Sequence, residues 1–186
     1  MKTKLLLISL LAILATTGST CINDGFLVAV NLPINPCFTI NAGPTLTFNR
    51  SITDTLALEL DQSYRENIKS ARYYDIRVSV IGTYNGTVNG TVYIQGPNST
   101  TQKALLTFTG NWADFSAPQS LLGSSPHIAT VPVGVQELLN ALNNMTVNPN
   151  TAVTISAVGA LNGQSPVPPG LSVCVEILGQ VDAKVQ

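Results

Sequence analysis

The chain is short of charge, of histidine and of cysteine. Asp, Glu, Lys and Arg make up only 10% of its 186 residues, against about 25% in an ordinary soluble domain. No basic run interleaved with aromatics occurs, which argues against a nucleic-acid partner. One histidine, His127, and three widely separated cysteines, Cys21, Cys37 and Cys174, leave no short Cys or His spacing of the kind that holds zinc. No metal and no cofactor is expected. The longest apolar run, Leu5 to Ala15, has eleven residues, too few to cross a bilayer as a helix. No G-x-S-x-G elbow surrounds any serine, and Ser124-Ser-Pro-His127 is adjacency in sequence rather than triad geometry. The expectation is a protein that is not an enzyme.

What is abundant is apolar residues, at 45%, together with Thr, Ser, Asn, Gly and Val. That mixture supports collapse into a β-rich domain. Met1-Lys-Thr-Lys4, the apolar run after it and the small polar residues Thr16 to Thr20 have the layout of an export signal. Residues 1–20 are therefore expected to be a signal peptide, with 21–36 an N-terminal strand or tether and 37–186 a β-sandwich domain. Removing the signal takes away Lys2 and Lys4, so the mature chain carries seven basic against ten acidic residues. Cys21 directly follows the signal, either as a lipid-acylated first residue or as part of an ordinary secreted chain. If it is acylated, Cys37 and Cys174 remain as a pair, and exported chains tend to join theirs. The alternative is two unpaired buried thiols.

Residues 72–95, RYYDIRVSVIGTYNGTVNGTVYIQ, carry the strongest period-2 pattern. Tyr74, Ile76, Val78 and Val80 alternate with Asp75, Arg77 and Ser79, and the alternation resumes at Val88, Val92 and Ile94. With Asn85-Gly86 between the two runs this predicts a central hairpin. Further short strands are expected at 26–31, 37–40, 45–48, 55–60, 104–110, 152–161, 171–178 and 181–185. A loop or single helical turn over 61–70 is expected to deliver Ile68 to the core. Pro132 to Asn144 reads as one helix, with Val135, Leu138, Leu139 and Leu142 forming its apolar stripe. It is expected to act as a plug or lid on the sheets. The fold class is all-β: an antiparallel β-sandwich, immunoglobulin-like or jelly-roll-like, with one short α-helix.

Residues 111–131 are rich in Pro, Gly and Ser and contain Trp112, Phe115 and His127. Loops of this length are uncommon unless they bind something or are ordered locally. Together with Tyr73, Tyr84 and Tyr93 these residues form the candidate binding surface, although aromatics in a sheet also pack across strands. Asn23-Asp24 and Asp114 are carboxamide and carboxylate groups of the kind calcium uses, and they equally suit turns. Glu59 and Asp61 read as solvated charges on a strand edge. Five N-x-S/T sequons, at Asn49, Asn85, Asn89, Asn98 and Asn144, matter where N-glycosylation machinery exists.

In order, the signal ending at Cys21, then LALELDQSYRENIKSARYYDIRVSVIG, GTVNGTVYI, VQELLNALNN, VTISAVGALNG and VCVEILGQVDAKV resemble small β-sandwich lipoproteins of bacterial cell envelopes. The resemblance is one of pattern and order over nearly all the mature chain. It implies an exported protein at the outer membrane, periplasm or cell surface, held to the membrane by lipid on Cys21, with a structural or binding role. Self-association or another envelope protein is the expected partnership. The alternative is a subunit of an extracellular filament that assembles by strand addition through its N-terminal strand.

Overall fold

A computed structural model describes residues 26–56 and 60–185. The expected signal peptide, Cys21, Asn23-Asp24, Leu58 and Glu59 lie outside the described residues. Among the described residues ten strands form two five-stranded sheets. One runs β1 (Phe26–Ile34), β10 (Ser172–Val185), β4 (Ile68–Ile81), β7 (Gln119–Ser120), with β2 (Cys37–Thr39) also on β10. The other runs β3 (Thr47–Thr55), β9 (Ala152–Gly163), β5 (Gly86–Gln95), β6 (Lys103–Asn111), β8 (Ile128–Thr130). Every pairing is antiparallel. The fold is an antiparallel β-sandwich, and its strand order selects the jelly-roll winding over the immunoglobulin-like one.

That winding is visible in how the pairs nest. Edge strands β1 and β2 pair with β10, β3 with β9, β4 with β7, and β5 with β6. The chain is thus one long two-stranded ribbon, folded at residues 96–102 and rolled so that successive rungs alternate between the sheets. The true hairpin is β5–β6. The hairpin expected over 72–95 does not form, because β4 and β5 belong to opposite sheets and residues 82–85 are a corner between them. Alternation in each strand was legible; a turn within a sheet and a corner between sheets use the same Gly and Asn residues.

The strand expected at 26–31 forms and runs further, to Ile34. β1 and β2 lie along β10 in one unbroken register from Phe26↔Val185 to Thr39↔Ser172, bridged by the Val175 N–H donating to the Pro36 carbonyl at 2.9 Å. They form a single edge strand interrupted at Asn35-Pro36. Proline is tolerated there because an edge strand needs only half its ladder.

Other boundaries moved for related reasons. Short strands expected at 45–48 and 55–60 are replaced by β3, which covers Thr47–Thr55, while Leu56 and Leu60 are buried outside it. Segments 171–178 and 181–185 are one strand, with irregularities after Leu178 and Asp182. The first bulge explains Tyr74. Leu178 pairs with Asp75 and Gly179 with Tyr73, so Tyr74 is skipped and 44% exposed rather than inward. A single helical turn, α1 (Gln62–Arg65), leads into β4, and Ile68 is buried as expected.

The core lies between the sheets. Leu32, Ile34 and Phe38 of the edge strand, Ile76 and Val78 of β4 and Val173, Val175 and Ile177 of β10 face Val88, Val92, Ile94, Phe108, Val153 and Ile155. Gly90 and Gly159 are register partners. A Cβ on Gly90 would sit 2.5 Å from the Phe108 ring, and one on Gly159 2.5 Å from the Phe48 ring. The missing side chains are where two aromatic rings lie.

The helix α2 (Pro132–Met145) forms as its periodicity predicts, with Pro132 in its first turn. It packs on β4 of one sheet and on β5 and β6 of the other, which is the expected plug. Its buried face is Gly134, Leu138, Ala141, Leu142 and Met145, rotated slightly from the predicted stripe, with Val135 and Leu139 half-buried. Gly134 explains the rotation, since a Cβ there would lie 2.1 Å from the Ala104 carbonyl oxygen. The helix backbone rests directly on β6. Gly134→Ala is expected to destabilise the fold by about 1–3 kcal/mol through overpacking, despite the gain in helix propensity. Urea denaturation measures it.

Candidate functional site

The segment after β6 was the expected binding loop, and it is locally ordered. Trp112–Phe115 form a short 3-10 turn in which Asp114 accepts a hydrogen bond from the Asn111 N–H at 2.8 Å. Trp112 and Phe115 point into the core, 3% and 0% exposed. The Trp112 indole N–H donates to the Gly82 carbonyl at 2.9 Å and its ring meets Tyr84 edge-on, with centroids 5.8 Å apart. Phe115 makes similar edge contacts with Phe108 and His127. This cluster fastens the β4–β5 corner to the end of β6.

The candidate aromatic surface is therefore corrected. Tyr84, Trp112 and Phe115 are buried core residues. Tyr73 is half-buried in one sheet and Tyr93 half-buried in the other, so the six residues do not share a surface. Sequence clustering misled here because the corner sends its two flanking strands to opposite layers. The Tyr84 hydroxyl is buried with no hydrogen-bond partner among the described residues, and burial raises its pKa.

His127 stays accessible at the loop's end. Its Nδ1 lies 3.2 Å from the Thr109 carbonyl oxygen, which makes that nitrogen the donor, and Nε2 is 3.9 Å from Asp114 Oδ2. Ser125 Oγ donates to Gln119 Oε1 at 2.7 Å and accepts from the His127 backbone N–H. The serine hydroxyl is turned to the glutamine and not to the imidazole, so no nucleophile–base contact is assembled. Among the described residues no group of three His, Cys, Asp or Glu side chains converges as a metal site would require. Open clefts are found among the described residues. One of about 290 Å³ lies between Pro97–Ser99 and Glu137, Asn140 and Ala141; one of about 210 Å³ lies between Asn41, Thr45 and the start of β3. Neither is lined by the predicted aromatics.

Sequence reading missed the charged centre of the molecule. Asp75, expected on an outward face, is 1% exposed. Its carboxylate accepts from Arg77 Nε at 2.8 Å, from Ser120 Oγ at 2.8 and 3.0 Å, and from the Leu122 N–H at 3.2 Å. Burial pushes its pKa up, but the hydrogen bonds from Arg77, Ser120 and Leu122 and the guanidinium charge outweigh burial and hold it below the ordinary value. Arg77 also reaches Glu176 at 3.3 Å. The D-x-R spacing puts Asp75 and Arg77 on one strand face, and that much was readable. Ser120 and Leu122 arrive from far along the chain and were not. The group latches the loop after β6 onto β4; it is a structural anchor.

Cys37 and Cys174 are joined, as the cysteine count suggested, with Cα atoms 4.0 Å apart. They are register partners on β2 and β10. In the same register the pairs of even-numbered edge residues, Pro36 with Val175 and Ile40 with Leu171, carry ladder bonds. The cysteines thus occupy a non-hydrogen-bonded position, where side chains lie closest.

No protein-family model and no curated protein sequence matches the chain. Among solved structures it is similar to Turnip yellow mosaic virus, at 12% identity and a TM-score of 0.40 over 86% of this chain and 96% of that one. Cocksfoot mottle virus overlaps at 12% identity and a TM-score of 0.41, covering 87% and 97%. Desmodium yellow mottle tymovirus does so at 12% and 0.38, covering 87% and 84%. Overlaps this loose carry nothing about role.

Proposed function

We propose that the chain is an exported cell-envelope protein, tethered by lipid on Cys21, whose β-sandwich has a structural or binding role without catalysis. The observation that supports this most is the Cys37–Cys174 disulfide. A bond of this kind belongs to an oxidising compartment, and it leaves Cys21 as the one cysteine outside the pair. The export-like start of the sequence supports the same reading, and so does its resemblance to envelope lipoproteins. Mass spectrometry of the mature N-terminus from the native host tests it. The expected result is a diacyl- or triacyl-modified Cys21 as the first residue; an unmodified start near Thr20 would overturn the tether.

One observation favours a second reading, the filament subunit. β1 is an edge strand, the element that strand addition exchanges between copies. In the structure it pairs with its own β10 over nine positions from Phe26 to Ile34, so donation to a neighbour requires that ladder to open. This reading stands behind the first.

A further inference from the structure

β3 is an edge strand of the second sheet, opposite β8. It bonds to β9 on one side only, and of its nine residues only Phe48 is buried. The bonds that flank it set its polarity. The Leu161 N–H donates to Leu46 O and the Leu56 N–H to Thr151 O, in the register of the β3–β9 ladder. Even-numbered residues of β3 therefore bond to β9, and Ser51 and Thr53 direct their N–H and C=O groups outward. Edge strands are usually blunted by charge or proline against this. β3 has no proline, and its charges are Arg50 and Asp54, symmetric about Ile52, which is 38% exposed.

We infer that β3 is a self-association edge: it pairs antiparallel with β3 of a second copy about a two-fold axis at Ile52. In that register Ser51 and Thr53 of each chain form the hydrogen-bonded pairs. Ile52 meets its own copy, and Arg50 of each chain meets Asp54 of the other at non-hydrogen-bonded positions, where side chains approach most closely. A shift of the axis to Ser51 or Thr53 puts a charge against Ile52, and a shift to Arg50 or Asp54 puts like charges together. The charge order itself selects one register and one occupant, a second copy of this chain. Arg50 is exposed and donates within its own chain to the Thr39 carbonyl at 3.2 Å, to the Asn49 carbonyl at 3.4 Å and to Asn41, bonds that its pairing with Asp54 of the second copy would share or replace. The contact would join two sandwiches through one continuous sheet, independently of any lipid anchor.

Sedimentation velocity over a range of concentration, on the folded chain with its disulfide intact, tests this. A monomer–dimer equilibrium is expected. Arg50→Asp and Asp54→Arg should each weaken it roughly tenfold or more, because each creates two like-charge pairs, and the double swap should restore it. Asp54→Arg leaves the Arg50 contacts to Thr39 and Asn41 in place, so it carries the test if Arg50→Asp folds poorly. Ile52→Cys should cross-link to its own copy on oxidation and Thr55→Cys should not. A chain that stays monomeric overturns the inference. So does a dimer insensitive to both reversals, or a double swap no better than either single change.

Discussion

Replacing Cys37 and Cys174 together by serine is expected to lower the unfolding free energy by about 5 kcal/mol, from the loop-entropy relation applied to a bond between residues 137 apart. For a chain of this size that is a fall of roughly 10–20 °C in the melting midpoint. The bond connects the outermost rungs of the ribbon, so without it the unfolded chain regains nearly the whole loop's freedom. In the native state it staples β2, a strand of three residues, to β10. Differential scanning calorimetry of the oxidised and double-serine proteins measures the loss. Hydrogen exchange should speed up first along 26–39, since that edge then depends on its ladder with β10 alone. A loss below about 1 kcal/mol would mean that native strain or residual order in the unfolded chain cancels the loop term.

The second large effect centres on Asp75. Asp75→Ala should cost about 2–4 kcal/mol, because Ser120, the Leu122 N–H and Arg77 all lose a buried acceptor. Arg77→Ala should cost a similar amount for the opposite reason, leaving a carboxylate that is almost wholly buried with hydroxyl and amide partners only. The pH dependence follows from the lowered pKa of Asp75. A group held lower in the folded than in the unfolded state binds fewer protons when folded. Its stabilisation is complete above the unfolded value of about 4 and is lost as pH falls through the folded value. Unfolding curves in denaturant should therefore show stability falling below about pH 4, and Asp75→Asn should flatten that fall. An equal slope in both proteins would place the acid sensitivity elsewhere.

These effects bear on how the molecule is tied together. The ribbon is closed at its ends by the disulfide, latched in its middle by Asp75 to Ser120 and Leu122, and pinned at the β4–β5 corner by Trp112 on Gly82. All three ties join residues distant in sequence. They hold strands that local pattern alone would leave free to pair differently.

Local pattern determined much. Period-2 alternation placed β4, β5, β6 and β9, and the i, i+3, i+4, i+7 spacing after Pro132 placed α2, because burial of one face demands those periods in any tertiary setting. Three cysteines, with one set beside an export-like signal, pointed to the Cys37–Cys174 pair. Tertiary structure alone decided which strands are neighbours. Gly82 to Gly86 reads as a hairpin turn, yet β4 and β5 part into separate sheets, since a turn specifies a change of direction and not a partner. Tyr84 and Trp112 look like a binding surface in sequence, and the corner folds them into the core. Asp75 looks solvated by its alternation, and a loop from beyond β6 buries it. A side chain's face is set by its own strand, but whether that face meets water is set by what the rest of the chain lays over it.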